Sequence, residues 1–348
     1  GDTFIHLSWT NPTDADLDAV TVRRAKGDNA PATPTDGQAV TLATPTATTV
    51  EDTGLDKTTR YTYAVFTRDS RGNNRNTPAT LTVRTRDDND SVCAQPLTQD
   101  TTWSPDYRDV YLIDCQYTVP SGVTLTVQAG TVVKFGRSAR LEVHGSLTAT
   151  GTAASPVVFT SWLDDTAGGD TNADGNSTGQ ASDWDGISVS GDTATVSFDR
   201  AQVRYGDMMS VNTQASSGVS ILNSTFSDNM YGGLQVWSGV VTPRVQNNQF
   251  RDNATGGSSP GLHVASSALD LAQLTGNTGS GNTFNGTVIS GTITQDGTWP
   301  DTPGWPVAVG GSSYDLYYGA ITVPTGVTVT VQAGTVVKFG RSARLEVH

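Results

Sequence analysis

The spacing of hydrophobic and polar residues changes once along the chain. Over residues 1–86, apolar positions alternate with polar ones, as in Ile5-His-Leu7-Ser-Trp9 and Tyr61-Thr-Tyr63-Ala-Val65. Turn-forming clusters such as Asn11-Pro12-Thr13-Asp14 separate these short runs. Alternation with period two predicts half-buried strands, and several short strands at this spacing predict an antiparallel sandwich.

From about residue 95, a long repeat dominates. The 27 residues Thr118–His144 recur as Thr322–His348 with only two differences, at an offset of 204 residues. The sequence therefore predicts a tandem module of roughly 200 residues. We assign residues 95–290 to one module and residues 291–348 to the start of the next.

A shorter period runs inside the module. The runs VSFDRAQV, VSILNSTF and PRVQNNQF begin at Val196, Val219 and Pro243 and can be overlaid. The overlay gives one column of Asp199, Asn223 and Asn247 and another of Val203, Phe226, Phe250 and Phe284. A coil of about 22 to 25 residues with three short strands and Gly/Asn turns is typical of a parallel β-helix. In such a fold we expect Asn223, Asn247 and Asn277 to form a structural asparagine ladder.

Composition supports an all-β fold. The 348 residues include 53 Thr and 37 Gly but only 3 Glu, 4 Lys and 3 Met. Because good helix formers are scarce, a helical bundle or a doubly wound α/β protein is excluded. The net charge of −13 argues against binding to nucleic acid or anionic membranes. No apolar run approaches 18 residues, so we expect no membrane insertion.

The two cysteines, Cys93 and Cys115, fit no metal-binding spacing. In a chain of this composition they predict an extracellular disulfide. We expect the disulfide to fasten the open edge of the first β-helix coil.

A calcium site is predicted between Trp162 and Gly186. Asp170, Asn172, Asp174 and Gly175 reproduce D-x-N-x-D-G, the first half of an EF-hand-type loop. The segment contains no basic residue, so its carboxylates would repel one another without a cation. The predicted ligands are Asp164, Asp165, Asp170, Asn172, Asp174, Asn176, Asp183 and Asp185. The alternative is a solvated Asp/Asn turn, which favours the same residues.

Two other acidic segments are weaker candidates. Residues 87–94 form an Asp-rich linker, in which Asp87, Asp88 and Asp90 fit either a calcium site or a solvated connection. Asp14 and its neighbours at spacing two are typical of a solvated turn.

Residues 1–86 resemble a fibronectin type III domain. The segment TGLDKTTRYTYAVFTRD carries the resemblance: Leu55 and Tyr61 match the Leu-x5-Tyr corner, and Trp9 matches the core tryptophan. The first strand of that family has no counterpart here, which implies that the polypeptide continues towards the N-terminus.

Residues 95–348 resemble the right-handed parallel β-helix repeat proteins of bacterial surfaces and secretions. The matching segments are TVPSGVTLTVQAGTVVKFG, GSLTATGTAASPVVFTSW and the rungs NSTFSDN and NNQFRDN. The resemblance implies a pectate-lyase-like solenoid. It does not imply one activity, because this fold carries adhesins, tailspikes, lyases and hydrolases.

Catalytic signals are sparse. A β-helix polysaccharide lyase needs Ca²⁺ with an Arg or Lys base, and Arg200, Arg204 and Arg251 lie in rungs without a convergent spacing. A glycosidase needs neighbouring carboxylates, yet Asp228 and Asp252 read as turn residues. The four His residues form no cluster.

The sequence therefore predicts a non-enzymatic structural or adhesive segment of a large repetitive extracellular bacterial protein. Such a segment would serve as an adhesin, stalk, surface-layer or filament component at the cell surface, stiffened by Ca²⁺. Its expected partners are neighbouring modules of the same polypeptide or head-to-tail copies of itself, with surface glycans as further candidates. The alternative is a secreted carbohydrate-active enzyme, a lyase or a glycoside hydrolase, or a glycan-binding module.

Overall fold

The computed structural model describes residues 3–56, 59–75, 77–85, 91–215, 218–239, 242–254, 259–311 and 319–348. The chain divides into two compact units. The first comprises Gly1–Asp90 with Asp106–Asp109, and the second comprises Ser91–Pro105 with Val110–His348. Residues 87–90 of the predicted linker lie outside the described residues. No helix in the described ranges is long and apolar enough to cross a membrane.

The described part of the first unit contains six strands in two antiparallel sheets. They are β1 (Phe4–Ser8), β2 (Leu17–Lys26), β3 (Gln38–Val40), β4 (Thr49–Thr53), β5 (Arg60–Asp69) and β6 (Ala79–Arg84). β1 pairs with β4, and the second sheet has the order β3-β2-β5-β6. Ile5 and Leu7 of β1 share one buried cluster with Val20 and Val22 of β2. The two sheets therefore pack face to face around a common core.

The second unit consists of short strands separated by turns. Over its described residues they are β7 (Thr101–Trp103), β8 (Tyr111–Ile113), β9 (Gln116–Val119), β10 (Thr124–Gln128), β11 (Val132–Phe135), β12 (Arg140–Val143), β13 (Ser146–Thr150), β14 (Val157–Ser161), β15 (Ile187–Gly191), β16 (Thr195–Asp199), β17 (Ala201–Arg204), β18 (Met209–Thr213), β19 (Val219–Leu222), β20 (Thr225–Ser227), β21 (Leu234–Ser238), β22 (Arg244–Gln246), β23 (Gln249–Arg251), β24 (Leu262–Leu269), β25 (Thr278–Ser280), β26 (Thr287–Ile293), β27 (Gly297–Thr298), β28 (Val307–Val309), β29 (Ala320–Val323), β30 (Val329–Thr330), β31 (Val337–Phe339) and β32 (Arg344–Val347). Short 3₁₀ helices occupy Val92–Ala94 and Leu271–Leu274.

Three parallel sheets run along this unit. Sheet A contains β7, β10, β13, β16, β19 and β22 in spatial order; sheet B contains β8, β11, β14, β17, β20, β23 and β25; sheet C contains β9, β12, β15, β18, β21, β24, β26, β28 and β31, with β29 and β32 beside this path. Each strand pairs with strands about one coil earlier and later, which makes a parallel β-solenoid of about ten turns. The all-β fold and the β-helix predicted from the sequence are thus confirmed.

Like residues stack inside the solenoid. The rings of Phe226 and Phe250 lie 5.2 Å apart and nearly parallel, as predicted from their spacing. Phe135 stacks on Trp184 in the same way at 3.9 Å. These rings are fully buried, and each buries most of its apolar surface against the rung above or below.

The prediction that Phe284 is the fourth member of the phenylalanine column was wrong. Gly279 occupies that position, opposite Phe250 in the strand pairing. A Cβ on Gly279 would come within 2.8 Å of the Trp305 ring. Because Gly279 has no side chain, Trp305 fills the space and stacks on Phe250 at 5.6 Å.

One corner of the solenoid has a left-handed residue in four successive rungs. Arg200, Asn223 and Asn247 have φ of 55°, 50° and 57°, and Gly276 follows with φ of 73°. Asn adopts this conformation more readily than other non-glycine residues. The predicted register here was wrong by one residue, because Arg200, rather than Asp199, aligns with Asn223.

The residues of the buried asparagine ladder come directly after these corner residues in the sequence. The corner residues themselves are not part of the ladder. The backbone N–H of Ser224 donates to Oδ1 of Asn248, whose own N–H donates to Oδ1 of Asn277. Asn223 and Asn247, predicted as ladder members, belong to the left-handed corner, whereas Asn277 is placed as predicted.

A second ladder at another corner is longer. It contains Asn229, Asn253 and Asn282, all buried. The N–H of Asn229 donates to Oδ1 of Asn253, and the N–H of Asn253 donates to Oδ1 of Asn282. Each side-chain amide also donates to the next asparagine and to a backbone carbonyl of the preceding rung. The ladders therefore satisfy buried polar groups where the chain leaves a strand.

The first rung is covered from below by residues 91–97. Val92 and Leu97 are buried in the same cluster as Trp103, and Tyr117 Oη donates to the Gln95 carbonyl at 2.8 Å. A disulfide joins Cys93, in this cover, to Cys115 at the corner before β9. A short, covalently fastened segment thus lies against the first rung, and Ser91 in it pairs with Leu112 of β8.

The second copy of the 27-residue repeat continues the solenoid. Ile321 and Thr322 in β29 pair with Gly291 and Thr292 in β26. One corner is longer than in the first copy: residues 310–319 separate β28 from β29, where only residues 114–115 separate β8 from β9. The long corner leaves and re-enters the wall at one place, because a Cβ on Gly319 would come within 2.2 Å of the carbonyl carbon of Gly310.

Candidate metal centre

The Asp-rich segment forms a loop over the outer face of sheet B. Residues 162–186 connect β14 to β15. Gly168 lies against this face with φ of 70°, and a Cβ there would come within 2.5 Å of Val110 Cγ2. Lys134 and Thr160 point outwards from β11 and β14, yet both are fully buried. The loop therefore covers a polar part of the solenoid wall.

Asp164 fastens the loop to this wall. Its carboxylate accepts hydrogen bonds from Thr160 Oγ1 and Thr166 Oγ1, each at 2.5 Å, and from Arg204 Nε at 2.8 Å. Burial alone would raise the pKa of Asp164, but these hydrogen bonds and the Arg204 charge together hold the pKa below its usual value. The carboxylate oxygens of this predicted ligand are thus already engaged.

Lys134 supports the loop from underneath. Its Nζ donates to the Gly169 carbonyl at 2.5 Å and to Thr171 Oγ1 at 3.2 Å. Burial lowers the pKa of Lys134, and the nearby charges of Asp165, Asp164 and Asp170 oppose this effect. The loop's own residues do not reveal these two basic partners, because Lys134 and Arg204 come from strands before and after the loop.

Three carboxylates of the loop lie close together. Oxygen atoms of Asp165, Asp170 and Asp174 all lie within 4.8 Å of one another. Asp165 Oδ1 and Asn172 Oδ1 are shielded from solvent and accept no hydrogen bond. Ca²⁺ prefers carboxylate and amide oxygens, so the side chains present fit a calcium ion that uses these oxygens.

The backbone gives this cluster its shape. Ala173 and Gly175 both have positive φ, 57° and 86°, which folds the D-x-N-x-D-G segment into a tight turn. The N–H of Gly175 donates to Asp170 Oδ2 at 3.1 Å, and the N–H of Ser177 donates to Asp165 Oδ2 at 2.7 Å. These bonds leave the other oxygen of each carboxylate for a ligand.

The remaining predicted aspartates do not belong to this cluster. Asp183 accepts a hydrogen bond from the Gln180 N–H at 2.8 Å and caps its own turn. Asp185 and Asn176 are exposed. Among the described acidic residues, the three that converge here are therefore Asp165, Asp170 and Asp174.

The arginines considered as catalytic bases are engaged elsewhere. Arg204 forms its ion pair with buried Asp164 at 2.7 Å. Arg200 lies 3.2 Å from Asp199, and Arg251 donates to Gln249 Oε1 at 2.6 Å. Asp228 and Asp252 occupy left-handed corner positions with φ of 56° and 52°.

His263 is a buried group that sequence reasoning passed over. It lies on the outer side of β24, is 1% exposed, and has the Gly310 backbone beside its ring. Burial lowers its pKa to about 4. The only sequence signal is its position in a strand between two apolar residues, Leu262 and Val264.

Comparison with known proteins adds little to these observations. No protein-family model and no curated protein matches the sequence. Among solved structures, the chain is similar to a family 28 exopolygalacturonase from Yersinia enterocolitica, with 11% identity and a TM-score of 0.19 over 99% of this chain and 84% of that one. At that TM-score the likeness carries no argument about activity or site residues.

Proposed function

We propose that the chain is a non-enzymatic structural segment of a repetitive extracellular bacterial protein, in which tandem modules build one continuous solenoid. The observation that carries this proposal is the register of the second copy. Arg344 pairs with Ala320 in β29, as Arg140 pairs with Gln116 in β9. All four pairs of this ladder are displaced by the same 204 residues.

The lead-in to each copy supports the same function. The Asp100 carboxylate accepts a hydrogen bond from the Thr124 N–H at 2.8 Å, and the Asp296 carboxylate accepts one from the Thr328 N–H at 2.7 Å. Each aspartate ends a recurring Thr-Gln-Asp run. The same interaction therefore begins the repeated segment both times.

Catalysis is less well supported than a structural role. The candidate arginines are paired or hydrogen bonded, and the aspartates spaced by one rung hold corner conformations. The acidic loop is fixed by Asp164 and Lys134 to the wall that it covers. A carbohydrate-active enzyme remains the second candidate function, on the basis of the β-helix fold and of the carboxylate cluster in the loop.

We also propose a structural calcium ion held by Asp165, Asp170, Asp174 and the Asn172 side-chain oxygen. The ion would neutralise the loop and fix it on sheet B. A disulfide in a chain with few lysines fits an extracellular location.

For the first unit we propose a fibronectin type III-like domain. Its two-stranded and four-stranded sheets are what such a sandwich leaves without its first strand. Leu55 and Tyr61 are buried, and the Asp56 N–H donates to Tyr61 Oη at 3.0 Å. A tyrosine hydroxyl that bonds the backbone a few residues upstream is characteristic of sandwich corners.

The test is to append one further repeat, a second copy of residues 145–348, to the full chain. Seven successive strand pairings lead from β12 to β32, so the particle should lengthen by roughly 34 Å at ~4.8 Å per rung. Small-angle X-ray scattering should show this increase at constant cross-section. Polygalacturonate and other anionic glycans should remain uncleaved. An unchanged length, or released oligosaccharides, would contradict the proposal.

A further inference from the structure

Five segments of the chain have the pattern Asn-x-Ser/Thr, with a residue other than proline in the middle. In secreted proteins this pattern marks an asparagine that can accept an N-linked glycan, and such an asparagine lies on the surface. The five asparagines are Asn89, Asn176, Asn223, Asn253 and Asn285. Asn89 lies outside the described residues, so the structure distinguishes between the other four.

Two of these segments are tied into the second asparagine ladder. Asn253 is fully buried, and its Nδ2 donates to Asn282 Oδ1 at 2.9 Å. Asn285 is exposed, but its Oδ1 accepts hydrogen bonds from the N–H and from Nδ2 of Asn282, each at 3.0 Å. Thr287, which supplies the hydroxyl of the Asn285 segment, is fully buried, and its Oγ1 accepts from Trp305 Nε1 at 2.9 Å. Both segments are therefore engaged inside the fold.

A third segment begins at Asn223 and enters the solenoid wall. Asn223 Nδ2, the atom to which a glycan would be attached, donates to Asp199 Oδ1 at 2.8 Å. Thr225 opens β20 and pairs with Gln202 on one side and with Gln249 on the other. Because an acceptor segment has to enter the cleft of a transferase, modification here would require both strand pairings to break.

The fourth segment, from Asn176 to Thr178, has none of these restraints. Asn176 and Thr178 are both exposed, and neither side chain makes a hydrogen bond within the described residues. They belong to the loop of residues 162–186, no part of which forms a strand. A transferase can therefore reach this segment without opening a sheet.

The residue between them accounts for this exposure. Ser177 Oγ donates to the Leu163 carbonyl at 2.7 Å, and the Ser177 N–H donates to Asp165 Oδ2 at 2.7 Å. Ser177 is thus held against the start of the loop, while the residues on either side of it face solvent. A Cβ on Gly175, just before Asn176, would meet no atom within 4 Å. The space around this turn is therefore open to a bulky substituent.

We propose that Asn176 is the acceptor of an N-linked oligosaccharide. In the reaction, Asn176 Nδ2 forms a bond to the anomeric carbon of an oligosaccharide that is carried on a lipid pyrophosphate. The bond from that carbon to the pyrophosphate oxygen breaks, the lipid pyrophosphate leaves with the electron pair, and the amide proton passes to the transferase. This inference rests on the proposed extracellular location, because N-linked glycans are carried by secreted proteins.

The modification leaves the candidate metal centre intact. The carboxylates that lie close together are those of Asp165, Asp170 and Asp174, so a glycan on the Asn176 amide removes none of them. Asn176, which the sequence predicted as a calcium ligand, has a different role in this proposal.

The test incubates the folded full chain, carrying Asn89→Gln, with a purified bacterial oligosaccharyltransferase and a lipid-pyrophosphate-linked oligosaccharide. Intact-mass spectrometry should show the addition of one glycan, and peptide mapping should place it on Asn176. Asn176→Gln and Thr178→Ala should each reduce the modified fraction at least tenfold, and both positions are exposed, so the fold should be unaffected. The matched control is Asn223→Gln, in a segment that is also Asn-Ser-Thr. This variant should be modified as fully as the parent chain.

Three outcomes would overturn the inference. They are no glycan on the parent chain, a glycan on Asn223, Asn253 or Asn285 instead of Asn176, and equal modification of the Thr178→Ala chain. If the appended repeat lengthens the particle while Asn176 stays unmodified, the glycan site is wrong and the tandem solenoid stands. If Asn176 is modified while the appended repeat does not lengthen the particle, the glycan site stands and the tandem solenoid is wrong.

Discussion

The Asn253 side chain joins three rungs of the solenoid: it accepts from Nδ2 of Asn229 at 2.9 Å and donates to Oδ1 of Asn282 at 2.9 Å. All three amides are buried. Each can direct one oxygen and one NH₂ group along the axis, so the ladder is self-complementary and satisfied at every step between these residues.

Asn253→Ala should destabilise the solenoid by roughly 2–4 kcal/mol, because it leaves buried donors of Asn229 and the Phe226 carbonyl without partners. Chemical denaturation, followed by a probe in the second unit, measures this change. Asn212→Ala, at an exposed position on β18, is the control and should have little effect. A loss below 1 kcal/mol for Asn253→Ala would show that water replaces the ladder.

Calcium should stabilise the chain through four of the predicted ligands, Asp165, Asp170, Asn172 and Asp174, and not through the others. At a concentration 100 times its Kd, Ca²⁺ should raise the free energy of unfolding by ~2.7 kcal/mol. Asp170→Ala and Asp174→Ala should each remove most of this gain, whereas Asp185→Ala should not. Thermal unfolding with calcium and with chelator provides the measurement. Equal curves in wild type would exclude the ion.

His263 should make the solenoid sensitive to acid. The pKa falls from 6.5 to about 4 in the folded state, so the unfolded chain binds the proton more readily between these values. Stability is therefore complete above pH 6.5 and declines as the pH falls towards 4, by up to about 3 kcal/mol. Gln235 and Val288 flank His263 in the pairing and do not titrate.

The measurement is the difference in unfolding free energy between pH 7 and pH 4 for wild type and for His263→Leu. The variant should lose less stability than the wild type over this range. If the two lose equally, His263 does not contribute to the acid sensitivity.

Removing the disulfide should loosen the first rung. A chain with both Cys93→Ser and Cys115→Ser should be less stable by ~3 kcal/mol, on the loop-closure estimate for two cysteines 22 residues apart in the sequence. Hydrogen exchange should become faster in β8 and β9 before it changes in β20 or β23. Uniform acceleration along the solenoid would show that the disulfide acts on global unfolding alone.

The wall of the fold could be predicted from the sequence, whereas the corners and the loop could be predicted only in part. Val203, Phe226 and Phe250 aligned correctly because an inward apolar column is imposed by burial on every rung. The predicted register of the corner was wrong because the path of the backbone determines which position is left-handed. Arg200 adopts this conformation in its rung, as Asn223 does in the next.

The candidate site shows the same limit. The D-x-N-x-D-G pattern located Asp170 and Asp174 because alternate residues of a tight turn point to one side. Nothing in the loop itself revealed that Asp164 faces Arg204 or that Lys134 lies beneath. Those contacts depend on which rungs become neighbours, and the sequence of a 25-residue loop does not specify that.

The corner before β29 is longer than the corresponding corner before β9. This difference in length indicates where the solenoid tolerates inserted residues. Ten residues at 310–319 replace two at 114–115, yet the strands that follow keep one register. Insertions at this corner therefore leave the wall unaltered, and modules of one array are free to diverge there while their walls remain alike. In the tandem array that we propose, a peptide grafted between Gly310 and Gly319 would recur once per repeat, at intervals of roughly 34 Å.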